Sequence, residues 1–288
     1  MSRVSAYVAL TKPRIIELLL VTTLPTMVVA QRGLPPLWLM AVTMVGGSLA
    51  AGGANAINMV VDRDIDALMP RTKNRPLVTG AVTPTAALVF AIVLEIASFA
   101  VLWSAVNLLS AVLAVSATAF YVFVYTMWLK RTSTQNIVIG GAAGAVPVLV
   151  GWAAVQNRLG WAPFLLFAVI FAWTPPHFWA LAIRYRDEYA SVDVPMLPAV
   201  ASHKSTSLQI TLYTLALWVI SLVFAPVAEM GLIYTVAAAV LGAVFVAYSV
   251  ALQRDGSTER AMKLFHYSIT YVTLLFAAMA VDQLIQGM

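Results

Sequence analysis

The sequence predicts an all-α polytopic membrane protein, because its composition is strongly apolar and long apolar runs recur along it. Of its 288 residues, 61% are hydrophobic and 10% are charged, whereas a soluble domain carries about 25% charged residues. The mean hydropathy is +0.89, and apolar runs long enough to cross a bilayer recur throughout. Irregular backbone facing lipid would leave its polar groups unpaired, so these runs are predicted to be helices.

Hydropathy places nine transmembrane helices along the chain. Their approximate bounds are residues 15–31, 36–58, 83–106, 108–128, 136–156, 161–182, 208–228, 231–252 and 264–286. One transmembrane domain over residues 1–288 is the simplest partition. Four spans separate two long charged loops, 59–82 and 183–207, which suggests four-helix pseudo-repeats at about 10–130 and 135–255 plus a ninth helix. In the fifth span, Gly140, Gly141 and Gly144 are typical of close helix packing.

The distribution of basic residues predicts the orientation of these spans. With the N-terminus in the cytoplasm, 15 of the 17 Lys and Arg residues lie in cytoplasmic segments, and the other two are Arg32 and Arg158. This bias predicts a cytoplasmic N-terminus and an outside C-terminus. Topology therefore accounts for the net charge of +5, so we expect the lipid bilayer, and no nucleic acid, as a partner. The expected location is a bacterial inner (cytoplasmic) membrane.

Two absences from the sequence limit the possible chemistry and the possible topology. The chain has no cysteine, which excludes disulfides, thiolate chemistry and Cys-ligated metals. No A-x-A-like cleavage site closes the first apolar run, so we expect that run to be retained as a helix.

An amide and two carboxylates follow helical spacing at the end of the second span, in NAINMVVDRDIDALMPRTKNRP (residues 55–76). Asn58, Asp62 and Asp66 are four residues apart, and each step of four turns about 40° around a helix. The three side chains would therefore share one face, within roughly 80° and about 12 Å of rise. Such oxygen ligands suit Mg²⁺, which takes one or two carboxylates together with waters and phosphate oxygens.

Three cations, Arg71, Lys73 and Arg75, follow this acidic face in a turn-rich segment. A diphosphate carrying Mg²⁺ would satisfy both sets of charges, because the carboxylates would hold the metal and the cations the phosphate oxygens. The alternative is a set of internal ion pairs at a helix end.

A second charged loop reads AIRYRDEYASVDVPMLP (residues 182–198), and it also interleaves acids with bases. It contains Asp187, Glu188 and Asp193 together with Arg184, Arg186 and two tyrosines. We interpret it as a second half-site for Mg²⁺ and diphosphate, although Asp193 has poor helical spacing from Asp187. The alternative is a solvated loop.

Further cations lie at other predicted cytoplasmic helix ends. Lys130 and Arg131 lie in one turn, and Lys12 and Arg14 flank Pro13 at the start of the first span. With Gln135 and Asn136 of the same turn as Lys130, they are candidates for binding the diphosphate or carboxylate groups of a substrate, and the alternative is positive-inside anchoring.

Together these loops predict prenyl transfer inside a membrane. A diphosphate clamped by metal and cations becomes a good leaving group, and aromatic faces between helices stabilise an allylic cation. A rival is a transporter for an anionic solute. Transporters bind substrates near the bilayer midplane at broken helices, whereas here the charge lies at helix ends. Only the predicted break at Pro175 and Pro176 favours that rival.

The chain resembles the UbiA-type intramembrane prenyltransferases over most of its length. The superfamily signature is N-x-x-x-D-x-x-x-D with a second acidic loop. Within the family, DRDIDALMPRTKNRPL, QNIVIGGAAGAVPVLVGWAA, FAWTPPHFWALAIRYRDEY and VPMLP are typical of the members that act on haem. This resemblance implies nine helices around a central cavity and Mg²⁺-dependent transfer of farnesyl from farnesyl diphosphate to a vinyl group of haem B. It also implies that the product, haem O, serves terminal oxidases directly or through a haem A synthase. A quinone-precursor ring is the alternative acceptor.

The resemblance assigns roles residue by residue. Asn58, Asp62 and Asp66 match the first motif, and Arg71, Lys73 and Arg75 match the basic stretch that follows it. The second motif's D-Y pair falls on Glu188 and Tyr189, with Asp187 one residue earlier, so either acid is a candidate metal ligand. His177, in WTPPHFW, is a candidate haem-iron ligand or propionate partner; the alternative is a hydrogen bond to a neighbouring helix.

Overall fold

A computed structural model describes residues 2–287 of the chain, except for the side chains of residues 14–20. The candidate cation Arg14 therefore lies outside the described residues. The described part is helical, with no β-strand. Its helices are α1 (Arg3–Thr11), α2 (Pro13–Gln31), α3 (Leu37–Val61), α4 (Arg63–Leu68), α5 (Pro84–Ala105), α6 (Leu108–Thr132), α7 (Asn136–Gln156), α8 (Trp161–Arg184), α9 (Arg186–Ala190), α10 (Leu197–Val200), α11 (His203–Val227), α12 (Leu232–Asp255) and α13 (Thr258–Gln286).

Eight helices in the described part are long and apolar enough to cross a membrane: α3, α5, α6, α7, α8, α11, α12 and α13. They coincide with the second to ninth predicted spans, so the chain is a multi-pass membrane protein. The first predicted span, 15–31, coincides with α2, where the side chains of residues 14–20 are not described. That span and the orientation of the termini remain predictions.

Several helices extend beyond their apolar runs, and serine caps explain where two of them begin. Helix α11 begins five residues before the predicted span, and α13 begins six residues before it. Ser202 accepts a hydrogen bond from the amide of Ser205 at 3.2 Å, and Ser257 accepts one from the amide of Arg260 at 3.3 Å. Hydropathy marks the part of a helix inside lipid, whereas a serine cap marks the helix end itself.

The long helices contact one another in a closed circuit: α2, α3, α5, α6, α7, α8, α11, α12, α13 and back to α2. Helices α7, α8, α11, α12 and α13 pack tightly around large buried side chains, including Trp173, Trp179, Phe224, Phe245 and Tyr271. The other half of the circuit contains the main cavity, between α2, α3, α6, α7 and α8. The predicted cavity therefore lies within one half of the bundle.

Helix α8 is helical through Pro175 and Pro176, so the predicted break at these prolines is wrong. Hydrogen bonds on both sides of the prolines anchor α8 to α13. Trp173 Nε1 donates to the carbonyl of Ser268 at 2.7 Å, and His177 Nδ1 pairs with Ser268 Oγ at 2.7 Å. These contacts hold the part of α8 on either side of the prolines against α13. The feature that favoured a transporter is therefore absent.

Candidate active site

The first acidic motif lies at the junction of α3 and α4. The amide of Asp62 donates to the carbonyl of Asn58 at 2.9 Å, and the amide of Asp66 donates to the carbonyl of Asp62 at 2.9 Å. Both steps keep the helical i→i−4 bond, although α3 itself ends at Val61. The predicted helical spacing is therefore confirmed, and Asn58 Nδ2 donates to Asp62 Oδ2 at 2.8 Å. All three side chains are buried; Asp62 is 0% exposed.

A separate cation pairs with each member of this acidic face. Lys12 Nζ donates to Asn58 Oδ1 at 2.8 Å, and Arg75 Nη1 donates to Asp66 Oδ2 at 2.6 Å. Lys130 Nζ pairs with Asp62 Oδ2. Buried carboxylates need such partners because desolvation disfavours an isolated charge. The internal ion pairs considered as an alternative from sequence are thus present at Asp62 and Asp66.

Lys12 joins this network from the turn between α1 and α2, where its φ is +51°. Burial, together with the nearby charges of Arg75 and Lys130, lowers the pKa of Lys12 to about 7. Lys12, Arg75 and Lys130 thus lie together beside two carboxylates, Asp62 and Asp66, and an anionic ligand bound among them would favour the charged form of Lys12. From sequence, Lys12 was a candidate only for anion binding or topological anchoring; the structure adds its contact with the acidic face.

A π-helical segment of α6, Phe120–Leu129, supplies a second wall of the site. Thr126 Oγ1 accepts a hydrogen bond from Asn58 Nδ2 at 3.1 Å. Lys130 is the residue directly after the π-helical segment. The rings of Tyr121 and Tyr125 stack with centroids 5.3 Å apart, and both line the cavity. π-helical turns occur frequently at functional sites. Sequence reasoning missed this segment, since its run of aromatic residues does not distinguish π from α geometry.

The two charged loops, predicted to share a pocket, contact each other through Arg71. Arg71 Nη2 donates to the hydroxyl of Tyr189 at 2.7 Å, and Arg71 Nε lies 3.8 Å from Glu188 Oε2. The guanidinium also lies over the rings of Tyr185 and Tyr189, at 5.1 and 4.8 Å from their centroids. These contacts fix Arg71 at the boundary between the two loops.

Arg131 lies beside the site and binds a different carboxylate. It donates to both oxygens of Asp64 at 2.7 Å, and its Nη2 lies 3.8 Å from Asp62 Oδ1. The hydrogen bonds from Arg131 lower the pKa of Asp64 to about 2.

The remaining predicted site residues of the loops lie at the surface. Lys73 and Asp187 are exposed, and neither side chain has a hydrogen-bond or ion-pair partner among the described residues. Asp193 is also exposed. Arg184 is exposed, with its guanidinium 5.8 Å from the centre of the Tyr185 ring. The structure thus places Arg71, Arg75, Lys130, Glu188 and Tyr189 at the site and leaves these four residues outside its contacts.

His177 lies between two aromatic rings on α8 and α13. Its ring stacks on Trp173 with centroids 4.2 Å apart and on Phe265 with centroids 4.7 Å apart. Its Nδ1 pairs with Ser268 on α13, which confirms the predicted hydrogen bond to a neighbouring helix. Its Nε2 has no hydrogen-bond partner within the described part of the chain. Phe178, the next residue along, lines the main cavity.

The cavity has a volume of about 310 Å³, and Asn55, one turn before Asn58 on α3, is its lining residue nearest in sequence to the acidic motif. Along α7, its lining residues run from Ile137 to Val150, about 20 Å of helix. The predicted aromatic lining is confirmed by Tyr121, Tyr125 and Trp173. Small residues form much of the remaining wall: Ala50, Ala51, Ala54, Ala114, Ala117, Gly140, Gly141, Ala143 and Gly144. The volume is within the usual range for a small-molecule site.

Buried oxygens that accept no hydrogen bond make this region compatible with Mg²⁺. Asp62 Oδ1, Asn136 Oδ1 and Glu188 Oε2 are buried and have no hydrogen-bond partner, and Mg²⁺ prefers oxygen ligands. Among the described residues, no three His, Asp or Glu side chains form a cluster that could hold a metal ion. A cation at this site would therefore need further oxygens from a bound ligand, which a diphosphate provides.

Comparison with known proteins identifies the class to which this fold and site belong. The UbiA prenyltransferase family matches residues 19–276, and the chain belongs to this family of membrane enzymes. A protoheme IX farnesyltransferase of Frankia alni is 55% identical to it over 287 residues, which cover 99% of this chain and 99% of that relative.

Solved structures with lower sequence identity share the fold. A structure of digeranylgeranylglyceryl phosphate synthase superposes with a TM-score of 0.83 at 16% identity and covers 99% of this chain and 100% of its own. A UbiA homologue from Archaeoglobus fulgidus, bound to DMAPP and Mg²⁺, superposes with a TM-score of 0.64 at 16% identity, covering 96% of this chain and 99% of its own.

Proposed function

We propose that the chain transfers the farnesyl group of farnesyl diphosphate to a vinyl group of haem B, in a Mg²⁺-dependent reaction that gives haem O. The observation that carries this proposal is the position of the buried Asn58–Asp62 network close to an apolar cavity between the helices. Asn55, one turn before Asn58, lines that cavity. The high identity to protoheme IX farnesyltransferases supports the choice of donor and acceptor.

The cations of the site bind the diphosphate. Arg71, Arg75, Lys12 and Lys130 surround the acidic face and donate charge-assisted hydrogen bonds to phosphate oxygens. Lys73, which is exposed on the same loop, attracts the anion from solution.

The residues that fit Mg²⁺ are Asn58, Asp62, Asp66 and an acid of the second loop. Glu188 is the stronger candidate there, because its Oε2 is buried without a hydrogen-bond partner, whereas Asp187 is exposed. When bound, the ion would supply positive charge that stabilises the departing diphosphate.

The chemistry then proceeds by ionisation and capture. The bond between farnesyl C1 and the diphosphate oxygen breaks, and Arg71 and Arg75 stabilise the departing negative charge. The faces of Tyr121 and Tyr125 stabilise the allylic cation, and the apolar wall keeps water from it. The terminal vinyl carbon of haem B forms the new C–C bond. Water adds to the other vinyl carbon and loses a proton, which leaves a hydroxyethylfarnesyl group.

The haem is proposed to bind near His177, beside the aromatic wall of the cavity. The bond from Nδ1 to Ser268 fixes the ring, and Nε2 is free to contact the iron or a propionate. Arg131 and Arg184 are candidate cations for the diphosphate, and Arg131 is also a candidate for a propionate. The product would pass to a haem A synthase or a terminal oxidase in a bacterial cytoplasmic membrane.

The test is an assay of purified protein in detergent with farnesyl diphosphate, haem B and Mg²⁺, read by mass spectrometry. We expect a haem O peak that disappears with EDTA and returns with excess Mg²⁺. Prenylation of hydroxybenzoate but not of haem B would move the acceptor to a quinone-precursor ring. Solute flux in vesicles without diphosphate release would instead support the transporter.

A further inference from the structure

We propose that Gly144 sets the length of the prenyl chain that the cavity accepts; this inference rests on the proposed function. Gly144 lies on α7 in the wall of the cavity. It is eight residues after Asn136, the first residue of α7, which corresponds to about 12 Å of helix. The backbone of Asn136 lies beside the charged turn, since its side-chain amide is 3.5 Å from the carbonyl of Lys130. A larger side chain at position 144 would therefore contact the distal part of a prenyl group whose diphosphate binds at Arg71 and Arg75.

Position 144 has empty space where a side chain would be. Among the described side chains, a Cβ added at Gly144 would meet no heavy atom within 4 Å. The two neighbouring glycines behave differently: a Cβ at Gly140 would collide with the ring of Tyr125, and one at Gly141 would lie 2.8 Å from Cγ2 of Thr174. Close packing, predicted from sequence for all three glycines, is confirmed for Gly140 and Gly141 and is wrong for Gly144.

The absence of a side chain at Gly144 therefore has no packing explanation among the described residues. Glycine is a poor helix former compared with alanine, and none of the described side chains excludes alanine at this position. What glycine preserves here is open volume in a cavity of about 310 Å³. A larger residue would occupy that volume and leave the acidic motif and its cations unchanged.

The consequence is a specific change in donor preference. Leucine at position 144 would obstruct the end of a farnesyl chain and leave space for the shorter geranyl chain. When an apolar pocket no longer accommodates one methylene group of a substrate, its selectivity between substrates typically changes by about tenfold. We expect the ratio of farnesyl to geranyl use to fall at least about tenfold in Gly144→Leu, and by a smaller factor in Gly144→Ala.

The experiment measures both binding and turnover for geranyl, farnesyl and geranylgeranyl diphosphates. Binding is read from the thermal shift of the detergent-solubilised protein with Mg²⁺ and each donor, and turnover is read as kcat/KM with haem B. Gly33→Leu is the matched control, because Gly33 also has no heavy atom within 4 Å of an added Cβ but lies outside the cavity lining. We expect Gly33→Leu to keep the wild-type preference.

An unchanged farnesyl-to-geranyl ratio in folded Gly144→Leu would overturn the proposal, and so would an equal loss of all three donors. If Gly144→Leu does not fold, Gly144→Ala supplies the same comparison, since alanine fits without a clash. Donor binding without haem prenylation by the wild type would instead refute the proposed acceptor. The binding data would still test the role of Gly144.

Discussion

Arg71 of the first charged loop donates a hydrogen bond to the hydroxyl of Tyr189 in the second loop, over a distance of 2.7 Å. The two residues are 118 positions apart in sequence. This bond joins the loops that flank the acidic motif and holds a guanidinium ready for an anion. The position of Arg71 therefore depends on a residue that itself has no charge.

The first prediction concerns that hydroxyl. Tyr189→Phe removes the acceptor but keeps the ring under Arg71, so we expect KM for farnesyl diphosphate to rise about tenfold with a smaller change in kcat. Tyr185→Phe is the control, because the Tyr185 ring also lies under Arg71 but its hydroxyl has no hydrogen-bond partner in the described structure. Equal effects of the two substitutions would show that the hydroxyl does not position Arg71.

The second prediction concerns the buried carboxylate at position 62. Asp62→Asn keeps the shape of the side chain and an acceptor for Lys130 but removes the negative charge, so we expect turnover to fall by at least about 100-fold. Asp64→Asn changes an exposed carboxylate that pairs with Arg131, and we expect less than about a tenfold loss. Kinetics and Mn²⁺ binding by electron paramagnetic resonance check both variants. Normal turnover in Asp62→Asn would rule out its assignment as a metal ligand.

The third prediction separates two lysines near the diphosphate site. Lys12 is buried and bonded to Asn58, whereas Lys73 is exposed without a partner. We expect Lys12→Met to weaken diphosphate binding about tenfold. We expect Lys73→Met to weaken it less than about threefold. Diphosphate binding should also depend less on salt concentration in Lys73→Met than in the wild type. Isothermal titration with diphosphate and Mg²⁺ measures both. A larger effect at Lys73 would reverse the assignment.

The fourth prediction concerns the haem. His177→Ala should abolish the absorbance shift that accompanies specific haem B binding, while farnesyl diphosphate binding stays within about twofold of the wild type. Ser268→Ala removes the partner of Nδ1 and keeps Nε2, so it should weaken haem binding by a smaller factor. An unchanged haem spectrum in His177→Ala would restrict His177 to its contacts with Ser268, Trp173 and Phe265.

The sequence predicted the long helices well because hydropathy reports directly on burial in lipid. Eight spans coincide with helices of the structure to within a few residues, and the spacing of Asn58, Asp62 and Asp66 survives at the α3–α4 junction. Pro175 and Pro176 were predicted to break or kink α8; the break is wrong, because the helix is continuous from Trp161 to Arg184. The count of nine spans and the pseudo-repeats remain predictions.

Other parts of the site were not predicted because they depend on tertiary contacts. Helix α1 was missed, although the sequence contains a serine at its start and a proline just after its end, Ser2 and Pro13. In the structure, Ser2 accepts a hydrogen bond from the amide of Ser5 at 3.2 Å, and the helix ends at Lys12. Those are the usual marks of a helix start and stop. The π-helical segment has no comparable signal, and hydropathy alone did not place Lys12 against Asn58.

The pairing of Lys130 with Asp62 and of Arg75 with Asp66 also determines how a ligand must enter. The carboxylates already hold cations, so under the proposed function a metal ion would share each carboxylate with an ammonium or guanidinium group. A diphosphate relieves that sharing by offering those groups an alternative anion. Occupation of the site is thus an exchange of partners. Bare Mg²⁺ alone gains little, and the metal and the diphosphate should enter cooperatively, each raising the affinity for the other by the same factor.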